Sequence, residues 1–343
     1  MSNLKKISMK NLLSVTLLIF SLIATACAQD NGVDESARMD FEAYDPPSTL
    51  VVPENPVTRA KFPFVDIHSH HWRMASQDLD QLIAEMDELN MGAIVNLSGR
   101  GGTALKNMME NVKKYGHEDR IVIFTNVSFN GIGEPGWTEN AVKQLEYDIT
   151  VAGAQGLKIY KSLGMRVYDT DGNRVTVDDP RLDPIWAKCG ELGVPVLIHT
   201  ADPKSFWEPF DENNERWLEL KTHPRRKRSD TDPAPWEVLI KEQHDMFRKH
   251  PNTNFIAAHM SWHANNLGKL SEIMDEIPNM YVGIGAVIAE LGRQPRNANK
   301  FFEKYQDRVL FGKDSYQPEE FPTYFRVLET ADEYFPYYKR YHA

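Results

Sequence analysis

Eight short apolar runs recur between residues 63 and 312, and none shows the apolar–polar alternation of a strand with one wet face. They are 63–68, 92–97, 120–127, 156–160, 195–199, 254–259, 280–284 and 308–312. A strand covered on both faces reads as a continuous apolar run, which is the signature of a parallel sheet. Helical patterns fill the gaps. Leu79, Leu82, Ile83 and Met86 share one helix face, as do Ala141, Val142, Leu145 and Ile149 behind a cap at Thr138. Eight strand–helix units in this space predict a (β/α)8 TIM barrel, which takes roughly 250 residues as one domain. An open doubly wound sheet is the alternative, but no glycine-rich dinucleotide fingerprint accompanies it. Two connections exceed a simple loop. Residues 166–177 read as a hairpin insertion after strand four, with Asp171-Gly172 as its turn. Residues 200–235 form a long aromatic and charged loop after strand five, with Phe206, Trp207, Phe210 and Trp217 as candidate pocket walls. Within it the basic run Arg225-Arg226-Lys227-Arg228 reads as a solvated face before an anion clamp.

The barrel is expected over residues 61–343, behind a polar, then proline-rich tether and arm at 28–60. Residues 1–27 read as an export signal: Lys5, Lys6 and Lys10 precede an apolar run, Leu12 to Ile23, that is short for a bilayer span. Ala26-Cys27-Ala28 fits release of a soluble protein, and Ala24-Thr25-Ala26-Cys27 fits a lipoprotein box with Cys27 lipidated. The expected location is therefore the periplasm or cell surface, with the membrane touched only through a lipid on Cys27. Cys189, the other cysteine, lies in a helical stretch, so no disulfide framework forms after processing and a buried apolar role is its default. With 39 basic and 49 acidic side chains the net charge is −10, or about −13 without the signal, which argues against nucleic-acid partners.

Enzymes built on parallel barrels carry their chemistry where strands end. Here those ends hold His68 and His70, Lys158, His199, His259 and, just past the eighth, Asp314. Two imidazoles two residues apart on one strand can grip a single cation. Three histidines and a carboxylate suit Zn²⁺ or a neighbouring divalent ion with one position open for water.

The motifs Val65-Asp66-Ile67-His68-Ser69-His70, Val196-Leu197-Ile198-His199, Phe255-Ile256-Ala257-Ala258-His259 and Arg308 to Asp314, in this order, resemble the amidohydrolase superfamily. The similarity is greatest to the branch that contains aminocarboxymuconate-semialdehyde decarboxylase. By that resemblance His68, His70, His199 and Asp314 hold one divalent metal, zinc being the expected ion, and His259 polarises substrate or water. Asp314 doubles as general base. A second metal on a carboxylated Lys158 is the alternative to Lys158 binding a substrate carboxylate. Gly312-Lys313-Asp314 departs from the usual Gly-Thr-Asp, and alternation should turn Lys313 away from the metal. Asp66 is expected to be structural, and His71 and His263 to be supporting or surface groups.

The implied function is metal-assisted hydrolysis of a lactone, ester or amide in a small, carboxylate-bearing substrate contacted by Lys158, Trp72 and Trp207. The alternatives are metal-dependent non-oxidative decarboxylation and a non-catalytic ligand-binding lipoprotein. The aromatic C-terminal segment, 319–341, is expected to pack across the barrel or to form a homodimer contact.

Overall fold

A computed structural model describes residues 39–40 and 43–338; the expected signal and the Cys27 lipidation site lie outside the described residues. The chain divides into two units, Met1–Leu50 and Val51–Ala343. The described residues of the first unit are exposed. All strands described below belong to the second.

Nine parallel strands follow in chain order: β1 (Phe64–Ser69), β2 (Met91–Asn96), β3 (Ile121–Ile123), β4 (Thr125–Asn126), β5 (Leu157–Ile159), β6 (Val196–Ile198), β7 (Phe255–Ala257), β8 (Met280–Gly283) and β9 (Val309–Leu310). Each pairs with its neighbour in sequence within two runs, β1–β2–β3 and β4 to β9. The third apolar run yields both β3 and β4 because the pairing changes hands within it: Phe124 N still donates to Asn96 O on β2 at 3.0 Å, whereas Thr125 N donates to Gly156 O, just before β5, at 2.9 Å. Ile67 N donates to Phe311 O at 3.0 Å, which stitches β1 to the segment beyond β9 and closes the ring. The result is the (β/α)8 barrel, with helices between strands.

Two layers of apolar side chains hold it. Inside, Val95, Leu97, Phe124, Leu197, Ile256 and Ala258 pack with Ile67, Tyr281 and Leu310. Outside, alternate residues of the same strands, such as Val196, Ile198, Phe255 and Ala257, meet the helices in the largest core cluster. That division is why the strands lack a polar face. Cys189 is in the outer layer, and burial pushes its thiol up to about 12, so it stays an inert apolar group.

The insertion at 166–177 forms one antiparallel bridge, Tyr168 to Arg174, around a turn in which Gly172 takes φ +81°. Arg174 turns its guanidinium to Glu242 and to Gly164 O, which ties the insertion to the barrel. In the arm, Asn55 bonds Asp332 through its N–H at 2.8 Å and its side-chain amide at 2.7 Å. The C-terminal helix Phe321–Glu329 buries Phe321, Tyr324 and Phe325. Its rings meet Phe64 and Phe311, so it packs over the β1–β9 seam.

Candidate metal centre

The centre begins with an irregularity in β1. The pairing of β1 with β2 shifts register between Asp66 and Ser69. Asp66 causes it: its buried Oδ1 accepts the His68 N–H at 2.9 Å, a donor the ladder would otherwise have used. The same oxygen accepts the Lys313 N–H at 3.2 Å, tying β1 to the strand that carries Asp314. Burial raises the Asp66 carboxyl to about 7, above the ordinary carboxylate range. Asp66 thus holds backbone.

Opposite it, Gly312 allows the two strands to touch. A Cβ there would stand 2.7 Å from His68 Cβ and 3.2 Å from His68 N. The chain then turns through Asp314 at φ +85°, and Asp314 N donates to His68 O at 2.7 Å. This places Asp314 Oδ1 3.1 Å from His68 Nε2 and 3.7 Å from His70 Nε2. Lys313 faces the other way, fully buried in an ion pair with Glu320 and bonded to Ser315 O at 2.8 Å. Gly312→Ala is expected to cost about 1–3 kcal/mol through overpacking. Thermal melts should show the fall, together with weaker metal binding.

From the other side come β6 and β7. His199 follows β6 and sits with its Nδ1 3.3 Å from His259 Nε2. His259 belongs to a turn, Ala258–Trp262, in which His259, Met260, Ser261 and Trp262 all have φ between 51° and 56°. Left-handed backbone costs a non-glycine residue roughly 1–2 kcal/mol, so four in a row must be held by their surroundings. Lys158, on β5, is buried at 1% exposure with no hydrogen-bond partner at Nζ. Its ammonium lies over the Tyr160 ring, 5.4 Å from the centroid.

His68, His259 and Asp314 each bring a ligand-type atom within 4.8 Å of the others. The remaining expected ligands flank this trio, His70 beside Asp314 and His199 against His259.

Burial keeps the imidazoles neutral: His68 and His259 are lowered to about 4, His70 to about 3, and His199 well below its ordinary value. For Asp314 burial is the largest single influence and acts upward, but the hydrogen bond with His68 and the electrostatic pull of His68, His259 and His199 together outweigh it and hold the carboxyl well below the usual range. Neutral imidazoles around an ionised carboxylate are the protonation states a divalent cation requires. The tautomers fit as well. His259 Nδ1 must donate to Gly285 O, 2.7 Å away, which leaves Nε2 with its lone pair. His70 Nδ1 bonds Ser98 Oγ at 2.8 Å and leaves Nε2 toward Asp314. The buried His68 turns Nε2 to Asp314 and has no hydrogen-bond partner at Nδ1, and His199 Nε2 has none either. This donor set suits a divalent ion of the zinc or manganese kind.

A family model described as Amidohydrolase matches residues 122–336, more than half of the sequence and three of the four motif-bearing strand ends. The chain belongs to the amidohydrolase family. His68 and His70 lie before the matched residues, and geometry brings them to the others. No curated protein matches the sequence. Among solved structures, this amidohydrolase is similar to a 2,6-dihydroxybenzoate decarboxylase complexed with 2,6-dihydroxybenzoate, at 14% identity and TM-score 0.50 over 78% of this chain and 92% of that one. It is also similar to a dihydroxybenzoic acid decarboxylase from Polaromonas sp. JS666 with bound manganese and an inhibitor, 2-nitroresorcinol, at 13% identity and TM-score 0.49 over 78% and 90%. A third is a probable 2-pyrone-4,6-dicarboxylic acid hydrolase from Acinetobacter baumannii with citric acid bound, at 12% identity and TM-score 0.44 over 77% and 92%. At 14% identity the first likeness is one of fold alone.

Around the centre of this amidohydrolase the expected substrate residues separate. Trp72 is 52% exposed, and its ring lies nearly parallel to His70 at 5.8 Å and to Tyr160 at 5.9 Å. Trp207 packs instead under its own loop, with Met165, Ala201, Trp236 and Leu239, and donates its Nε1–H to Ala234 O at 2.8 Å. The basic run is neither wholly solvated nor a clamp: Arg228 pairs with the buried Asp202 at 2.8 Å, and Arg226 pairs with Glu219. His71 and His263 are buried supports, bonded to Ser69 Oγ and Ser261 O. A cavity of about 300 Å³ lies beneath the loop, walled by Pro203, Arg216, Trp262 and Glu290. Sequence reasoning missed Trp262, whose ring covers His259 at 4.5 Å, and Ser98, which orients His70. The pair His259-x-x-Trp262, just past a strand end, was the available signal for the first; the sequence carried none for the second.

Proposed function

We propose that this amidohydrolase is a metal-dependent hydrolase that opens a lactone, ester or amide bond in a small, carboxylate-bearing substrate. The observation that carries the reading is the convergence of neutral His68 and His259 on ionised Asp314, with His70 and His199 alongside. His68 and Asp314 would hold a divalent ion, zinc by preference, with further ligands from the three neighbouring imidazoles. When bound, such an ion supplies Lewis acidity, polarising a carbonyl and making water acidic near neutral pH.

The chain's own groups do the rest. Asp314 carries no proton, so it takes the one released by the attacking water and returns it to the leaving group. His259, fixed by Gly285 O, presents its Nε2 lone pair to the centre, where it can accept a hydrogen bond from the attacking water and orient it. Lys158 receives the substrate carboxylate at an otherwise unpaired Nζ. The Trp72–His70–Tyr160 wall offers a flat surface for an apolar face of the substrate.

Non-oxidative decarboxylation is the second reading. It is favoured by a buried cation at Lys158 that could grip a carboxylate beside the same centre. One assay separates the two: the zinc- or manganese-loaded protein is offered a panel of lactones, esters, amides and aromatic carboxylates. Acid release without CO₂ is expected. CO₂ release from the carboxylates alone would replace hydrolysis by decarboxylation, and no turnover by a metal-loaded protein would favour a binding role.

A further inference from the structure

The left-handed turn that carries His259 is held from behind by a polar chain that runs from a neighbouring helix to Ser261. Gln243 and His244 lie on the buried face of helix Trp236–Lys249. Gln243 Nε2 donates to Ser261 Oγ at 2.7 Å, and His244 Nε2 is 3.2 Å from the same oxygen. The Gln243 amide donates to Ser261 Oγ, and the hydroxyl, with one proton and a second lone pair, can meet His244 Nε2 in either tautomer. His263 Nδ1 donates to Ser261 O at 2.6 Å, and the Trp262 indole donates to Thr200 O at 3.0 Å. Ser261 is 2% exposed and Gln243 1%. A buried glutamine is a costly choice where a leucine would pack. Its return is that it fixes four successive left-handed residues, His259 among them.

We propose that Gln243, acting through Ser261, is the positioning residue for His259: it locks the turn that aims the His259 imidazole at Asp314 and lays Trp262 over it. The metal part of this inference rests on the reading of the centre given above; the positioning part does not. Loss of the amide leaves Ser261 Oγ without its donor and lets the turn relax toward ordinary backbone. The Nδ1–H bond of His259 to Gly285 O and the bearing of Nε2 then loosen together.

Two variants test it, Gln243→Leu, which keeps volume, and Ser261→Ala, which removes the hydroxyl. The first readout needs no metal. The His259 Nδ1–H resonance, assigned by its loss in His259→Asn, should exchange with water at least tenfold faster in both variants. The second is Co²⁺ titration of the whole protein, in which affinity should fall about 10- to 100-fold, as for other groups that orient ligands, with an altered visible spectrum and a melting temperature of the metal-free protein close to wild type. Exchange within twofold of wild type in a folded variant overturns the proposal. A wild-type protein that takes up no Co²⁺, with exchange still accelerated in the variants, upholds the positioning role and brings down the metal-centre reading instead. Should Gln243→Leu fail to fold, Ser261→Ala carries the same comparison.

Discussion

Lys158→Met is expected to give a protein that is more stable and less active. The side chain is 1% exposed, and its Nζ has no hydrogen-bond partner. Burial lowers its pKa from 10.5 to about 7, with the Asp314 charge opposing only in part. The sign of the pH effect follows. Between pH 7 and 10.5 the unfolded chain binds the proton that the folded chain gives up, so stability rises with pH across that window. Below pH 7 the folded protein carries the full penalty, on the order of a few kcal/mol. Methionine has similar length and no charge, so Lys158→Met should remove the penalty and flatten the slope. Melting temperature at pH 7 should rise by roughly 5 °C or more, and the gain should vanish near pH 10. Activity should move the other way. Loss of a charge-assisted contact to a substrate carboxylate is worth about 1.5–3 kcal/mol, or about 10- to 100-fold in kcat/KM, appearing mainly in KM. A variant that is less stable with unchanged kinetics would make Lys158 a structural group.

The opposed effects on stability and activity explain why strand ends were readable and their geometry was not. A lysine in an otherwise apolar run breaks the local rule that buries Leu157 and Ile159, and such breaks mark functional positions. His199, His259 and Asp314 stood out for the same reason. Strand existence followed from continuous apolar runs, because both faces of this sheet are covered. Detail depended on contacts remote in sequence. Strict alternation was expected through His70, but Asp66 captures the His68 N–H and shifts the register. Trp207 was expected at the substrate, yet its indole N–H finds Ala234 O and the ring stays inside the loop. The basic run 225–228 showed its charge; its buried partners Asp202 and Glu219 precede it in the same loop and carry no sequence mark of burial. The left-handed turn was invisible because Ala258 to Trp262 contains no glycine or asparagine to announce positive φ.

Loss of the metal in His68→Ala is the second large expected effect. His68 Nε2 is 3.1 Å from Asp314 Oδ1, and its Nδ1 has no hydrogen-bond partner among the described residues. Beyond Asp314 its ring faces those of His70 at 5.5 Å and His259 at 5.2 Å, both part of the centre, so its removal should cost the protein's binding more than its folding. Wild-type protein reloaded with Zn²⁺ or Mn²⁺ should hold close to one equivalent by elemental analysis, and His68→Ala less than about a tenth of that. Ligand linkage gives a parallel measure. At a thousandfold excess over Kd, a metal that binds only the folded state adds about 4 kcal/mol, so the wild-type melt should move up on metal addition and the His68→Ala melt should not. Asp314→Asn separates binding from chemistry. The amide oxygen can still face the centre, but it cannot accept a proton, so metal should be retained at lower affinity while turnover falls at least about a hundredfold, the low end of what a positioned base contributes. Full activity in Asp314→Asn would remove Asp314 as the base. One equivalent of metal in His68→Ala would remove His68 from the ligand set and leave it to His70, His199, His259 and Asp314.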